Sequence, residues 1–192
     1  MVQEIASESI YKGNRIAGCC SAILTFLVLI VSCENPVVDK ANIYREVTRI
    51  ESAKALDYAN SKNGAEYLYG GNGPQKFDCS GLIIWSYQQV FNETKIFKSN
   101  DTIVNDLSMG MLFSDNARLL NIDEVLPGDI VFITDEENIV THGGIVVDID
   151  NENITFINAS SYYGKIVVEK WKLHEIVRNQ WIVGFGRLLI VE

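Results

Sequence analysis

Cysteine is the most nucleophilic side chain at neutral pH, and Cys79, in the run Phe77-Asp78-Cys79-Ser80-Gly81, stands where a helix would begin. Asp78 is a good N-cap residue, so the sulfur falls in the first helical turn, where unpaired backbone amides favour an anion. A helix start and a neighbouring imidazole are the usual means of lowering a thiol pKa, and they predict a thiolate-prone nucleophile here. The chain has two histidines. His142 is followed by Gly143 and Gly144, and bare glycines beside it would leave the ring accessible. His174 has no such company and reads as a surface or packing residue. A third, polar group should hold the other imidazole nitrogen, and the carbonyl of Asn158 is adequate for that. Cysteine, histidine and an orienting amide together make an acyl-transfer set.

Positioning those groups needs one helix and several strands. Apolar residues at steps of three and four predict a helix from about Asn42 to Ser61. The glycine- and aromatic-rich stretch EYLYGGNGPQKF breaks regular structure, and DCSGLIIWSYQQVF then predicts a second helix with Asp78 as cap. A short third helix is expected over residues 101–109, capped by Asp101. After residue 120 the pattern becomes that of strands: 130–134, 140–149, 154–160, 165–171 and 181–191, parted by Asn/Asp/Gly turns. A hairpin of 140–149 with 154–160 would set Asn158 beside His142. Helices first and strands after predict an α+β domain, with three helices packed on an antiparallel sheet of five or six strands.

The first 33 residues differ from the rest. Lys12 and Arg15 precede a charge-free stretch from Ile16 to Cys33 that ends Ile30-Val31-Ser32-Cys33. A basic region followed by an apolar one is the order of a secretory signal. The ending resembles the lipobox of bacterial lipoproteins, which implies removal of residues 1–32, lipidation of Cys33 and a tether over 33–42. An uncleaved membrane helix and a plain secretory signal are the alternatives. All three place the 43–192 domain outside the cytoplasm, in the first case on the cell envelope, facing periplasm or exterior. Cys19 and Cys20 would leave with the signal, so Cys79 would be the one unmodified thiol.

Taken in order, YLYGG, FDCSGL, LPGDIVFI, THGGIVV and FINAS resemble the NlpC-type family of bacterial peptidoglycan endopeptidases, which are papain-like cysteine peptidases. The resemblance covers about residues 45–190. It implies that Cys79 attacks the scissile carbonyl, that His142 takes its proton and that Asn158 orients the imidazole. The family most often has histidine at that third position. It further implies that Tyr67 helps stabilise the oxyanion, with Tyr69 as the less favoured of the two tyrosines. Asp78 and Ser80 match positions that contact the free amino end of a stem peptide. The implied reaction cuts an amide in peptidoglycan stem peptides, between D-glutamate and the diamino acid. Amidase action at the sugar–peptide link and an inactive wall-binding lipoprotein are the other readings.

Composition narrows the partners. A formal charge of −9 over 192 residues argues against nucleic acid. The sequence has no metal-ligand spacing and no phosphate-binding loop, so no cofactor and no metal are expected. The acidic run Asp135-Glu136-Glu137 reads as a solvated turn. Peptidoglycan stem peptides and, through a lipid on Cys33, a membrane are the expected partners of a monomer.

Overall fold

The computed structural model describes residues 44–191. The signal segment, the lipobox-like Cys33 and the tether lie outside those residues. Three α-helices, one short 3-10 turn (Ile122–Glu124) and eleven strands form the described part. They are β1 (Tyr44–Glu46), α1 (Arg49–Asn60), β2 (Glu66–Tyr67), β3 (Lys76–Phe77), α2 (Cys79–Phe91), β4 (Phe97–Ser99), β5 (Thr102–Val104) and α3 (Met109–Asp115). β6 (Ala117–Leu120), β7 (Ile130–Thr134), β8 (Val140–Ile149), β9 (Asn153–Ser160), β10 (Lys165–Lys172) and β11 (Trp181–Val191) follow. Among the described residues no helix is long and apolar enough to cross a membrane.

The α+β class stands, and three details differ from the sequence expectation. First, α1 starts at Arg49 and not near Asn42, because Thr48 and Glu51 close a reciprocal cap. The Glu51 amide donates to the Thr48 hydroxyl at 3.3 Å, and the Thr48 amide donates to the Glu51 carboxylate at 2.7 Å. Residues 44–46 pair instead with the end of β11. Second, the stretch expected as helix 101–109 opens with the second strand of a β4–β5 hairpin and stays irregular up to Ser108, with Asn100 left-handed at the hairpin turn and Asp101 in that turn and not at a cap. The third helix begins at Met109, capped by Ser108. Third, the main sheet has nine strands, not five or six. It runs β1-β11-β7-β8-β9-β10-β2-β3 with β6 alongside β11, and it is mixed because β2 and β3 are parallel.

Alternation along β7 explains how the sheet holds the molecule together. Ile130 and Phe132 pack with Leu82, Ile83 and Tyr87 of α2, while Val131 and Ile133 join Phe156, Trp171 and Phe185 in a second apolar cluster. A strand buried on both faces reads as the continuous apolar run found in the sequence.

The turn before β7 ties helix and sheet together. Asp129 is 1% exposed and accepts from Nε and a terminal nitrogen of Arg187, each at 2.9 Å, and from the Leu126 amide at 2.8 Å. The hydroxyl of buried Tyr87 donates to the Gly128 carbonyl at 2.7 Å. Gly128 itself is left-handed, and a Cβ there would run into the backbone of Ser52 on α1. Removing one member of a buried ion pair strands the other. Asp129→Ala should therefore cost about 3–5 kcal/mol in denaturant unfolding. A loss below about 1 kcal/mol, the range of surface pairs, would show that the pair does not hold the turn.

Candidate active site

Cys79 is the first residue of α2. Asp78 caps the helix by accepting from the Gly81 amide at 2.7 Å, and its other oxygen accepts from the Gly70 amide at 2.9 Å. The glycine-rich loop thus closes over the helix start, where the Asp78 amide donates to Gly71 O at 2.8 Å. Gly81 is required there, because a Cβ would overlap the Gly71 carbonyl. From the other side comes β8, and Cys79 Sγ donates to the carbonyl of Thr141 at 3.6 Å. The chain neighbour of that carbonyl is His142.

Gly143 and Gly144 do not serve to bare the imidazole, as the sequence suggested. A Cβ on Gly143 would strike Val131 O and the Met109 side chain, and one on Gly144 would strike Ile157 O. They let β7, β9 and α3 close on β8, and His142 is half-buried as a result.

Ile145 pairs with Ile157, so the same register sets Asn158 diagonally across from His142. Asn158 Oδ1 lies 3.2 Å from His142 Nε2. The amide orientation follows from its other contacts. Asn158 Nδ2 donates to the Glu169 carboxylate at 3.1 Å and to Val167 O at 3.4 Å, and only the NH2 end can meet two acceptors. The oxygen therefore faces the imidazole, so Nε2 carries the proton and Nδ1 is the basic nitrogen. Asn158 is fully buried.

Behind Asn158 the chain of contacts continues into residues that sequence reasoning missed. Glu169 accepts from Arg178 at 2.6 Å and from the Trp171 indole at 3.3 Å. Glu169 had a readable signal. In the β9–β10 hairpin Asn158 opposes Val167, so an acid two residues on lies on the same face. Arg178 had none, because it sits in the turn before β11.

Cys79 and His142 open into a cleft of about 220 Å³, together with Tyr67, Asp78, Ser160, Tyr162 and Arg178. A second hollow of about 570 Å³ lies on the α3 side of Cys79 and is lined in part by Asp78, Ser80, Met109 and Val140. The thiol thus stands between two hollows. Tyr67 is half-buried beside it, whereas Tyr69 is 88% exposed on the rim. Ser80 donates its hydroxyl to Asp78 at 3.2 Å. His174 is exposed.

The electrostatics oppose the thiolate expected from sequence. Burial and then the Asp78 carboxylate push the Cys79 thiol up to about 12, outweighing the amides of Ser80 and Cys79 that face the sulfur. Burial lowers the His142 pKa, while Asn158 and Glu169 act to raise it. Both shifts favour the neutral forms of thiol and imidazole. Burial first, and then the neighbouring Cys79 and Asp78, raise the Tyr67 hydroxyl, which stays protonated as a donor.

The sequence model of the NlpC/P60 family matches residues 64–185, which span the loop, α2, the turn before β7 and all three central residues. The chain belongs to the NlpC/P60 family. It is 30% identical over 128 residues to the probable endopeptidase p60 of Listeria seeligeri, covering 65% of this chain and 20% of that protein. The chain spans about a fifth of the length of such relatives. The probable endopeptidase NlpC of Escherichia coli is 27% identical over 150 residues, covering 76% of this chain and 84% of that protein. Among solved structures, an NlpC protein of Trichomonas vaginalis superposes with a TM-score of 0.55 at 26% identity, covering 79% of this chain and 46% of that one.

Two measurements test the electrostatics of this NlpC/P60 site. Asp78→Asn keeps a capping side chain but removes the charge that raises the thiol, so iodoacetamide should alkylate Cys79 on the order of tenfold faster at pH 7. An unchanged rate would mean that Asp78 does not govern the sulfur. Glu169→Gln keeps the acceptor for Asn158 and removes a charge that favours imidazolium. In NMR titration the His142 midpoint should then move to lower pH, and a fixed midpoint would show that Glu169 does not reach the ring.

Proposed function

We propose that this chain is a cysteine peptidase of the bacterial cell envelope that hydrolyses peptidoglycan stem peptides, cutting the amide between D-glutamate and the diamino acid. The observation that carries the reading is the oriented imidazole. Asn158 holds the Nε2 proton, which leaves Nδ1 of His142 free to act as base in the cleft that Cys79 lines.

In this mechanism the Cys79 proton passes to His142 Nδ1 as the sulfur attacks the scissile carbonyl carbon. Both pKa shifts favour the neutral pair, so attack and proton transfer proceed together. The tetrahedral oxyanion takes hydrogen bonds from the Cys79 amide, which as the first helical N–H has no intrahelical partner, and from the Tyr67 hydroxyl. Collapse breaks the C–N bond, and the imidazolium returns its proton to the leaving amine. A water, deprotonated by His142, then cleaves the thioester and regenerates the thiol. Asp78 has no cationic partner among the described residues and, with Ser80, supplies the acceptors for the amino end of the peptide.

The names of the relatives support an endopeptidase. The lipobox-like segment ending in Cys33 supports a membrane-tethered position, with residues 43–192 as the working domain. No cofactor enters the reaction.

Full-length protein incubated with purified muropeptides should release a fragment beginning at the diamino acid, identified by mass, and Cys79→Ala should release none. Activity should rise with pH through the depressed His142 pKa, because protonated imidazole cannot accept the thiol proton. Asn158→Ala should lower kcat by about 10²-fold while leaving alkylation of Cys79 possible. Fragments cut at the sugar–peptide link would reassign the bond, and no product from any muropeptide would sink the peptidase reading.

A further inference from the structure

Arg178 occupies an unusual backbone position. With Asn179 it forms the centre of a tight turn bridged by Val177 and Gln180, and both central residues are left-handed, at φ 54° and 61°. Such turns favour Asn-Gly, and an arginine there is strained. Strain of this kind persists only where the surroundings fix it. Here they do. The guanidinium is bonded to Glu169 at 2.6 Å and lies over the rings of Tyr162 at 4.6 Å, Tyr163 at 5.5 Å and Trp171 at 5.7 Å.

That clamp holds the guanidinium at the cleft that contains the thiol. Its side chain is 29% exposed, and Glu169 behind it only 9%. Among the residues lining the cleft, Arg178 is the one lysine or arginine and Asp78 the one carboxylate. Glu169 takes one of the five N–H donors of Arg178, and a planar guanidinium fits a carboxylate with two parallel bonds. The cleft therefore offers a site for a cation at Asp78 and a site for an anion at Arg178, with Cys79 and His142 in the same hollow.

We propose that Arg178 is the specificity-determining residue of the cleft and binds a free substrate carboxylate close to the scissile amide. The assignment deepens the peptidase reading above and rests on it. Two carboxylates of a stem tripeptide flank that amide: the α-carboxylate of D-glutamate on the acyl side, and the carboxylate of the diamino acid on the leaving side. Enzyme selection then follows substrate charge. A peptide whose carboxylate is amidated leaves Arg178 without its partner and binds poorly.

The test is titration calorimetry on full-length Cys79→Ala protein, which binds without turnover. The probes are L-alanyl-γ-D-glutamyl-L-lysine and its two forms amidated at one carboxylate each. One amidation should weaken binding by about tenfold or more, since a charged hydrogen bond is lost. Which amidation does so identifies the carboxylate. In Cys79→Ala/Arg178→Gln the three probes should bind within about twofold of one another, and Arg178→Lys should restore part of the discrimination. Because each comparison is between ligands on one protein, a partly misfolded variant does not mimic the result. Equal binding of all three forms by Cys79→Ala, or a penalty that persists without Arg178, overturns the assignment while leaving the peptidase reading intact. Failure of every form to bind overturns both.

Discussion

A single constraint governs this molecule: the first turn of α2 must lie within bonding distance of backbone on both sides. On one side the glycine loop folds over Asp78 and Gly81. On the other, β8 brings the Thr141 carbonyl to 3.6 Å from the sulfur. Side chains at Gly71, Gly81, Gly143 or Gly144 would each collide with backbone oxygen. These glycines cost conformational entropy on folding and leave the apolar clusters on the two faces of the sheet to offset it. The Asp129–Arg187 pair and the Tyr87 hydroxyl then fix the height of α2 on the sheet, through the turn that starts β7.

What was legible in the sequence follows from locality. Strands 130–134, 140–149 and 181–191 are found with those bounds, because alternation and turn residues are local signals and the strands are long. The Asp78 cap is local too. The Thr48–Glu51 capping box was equally readable, yet the apolar periodicity running through Val47 hid it. The β4–β5 hairpin was lost because each strand has three residues, too few to show a period, and Asn100-Asp101 looks as much like a cap as a turn. The short strands β1, β2 and β6 pair with strands distant in the chain, and β3 pairs in parallel with β2 across the irregular glycine loop, so no local pattern records them.

The candidate site divides the same way. Residue types and order point to Cys79, His142 and Asn158, and the hairpin register brings the last two within 3.2 Å. The sequence does not carry the balance of fields at the sulfur. A helix N-terminus lowers a thiol pKa only while the thiol is hydrated enough to ionise, and here burial and the capping carboxylate outweigh the amides. The feature that marks the helix start also opposes the charge that the helix start favours.

That opposition suits a peptide with a free amino end. An ammonium against Asp78 would offset the charge that adds to burial in raising Cys79, and the amides of the helix start would then act on the sulfur against burial alone. Binding at one end of the substrate thus eases ionisation at the reacting centre. On the imidazole side, Glu169 faces Asn158 with one oxygen and Arg178 with the other, so the carboxylate that steadies the orienting amide also anchors the cation in the cleft. In the proposed peptidase, substrate charge and catalytic geometry would meet at Asp78 on one side of the thiol and at Glu169 behind the imidazole.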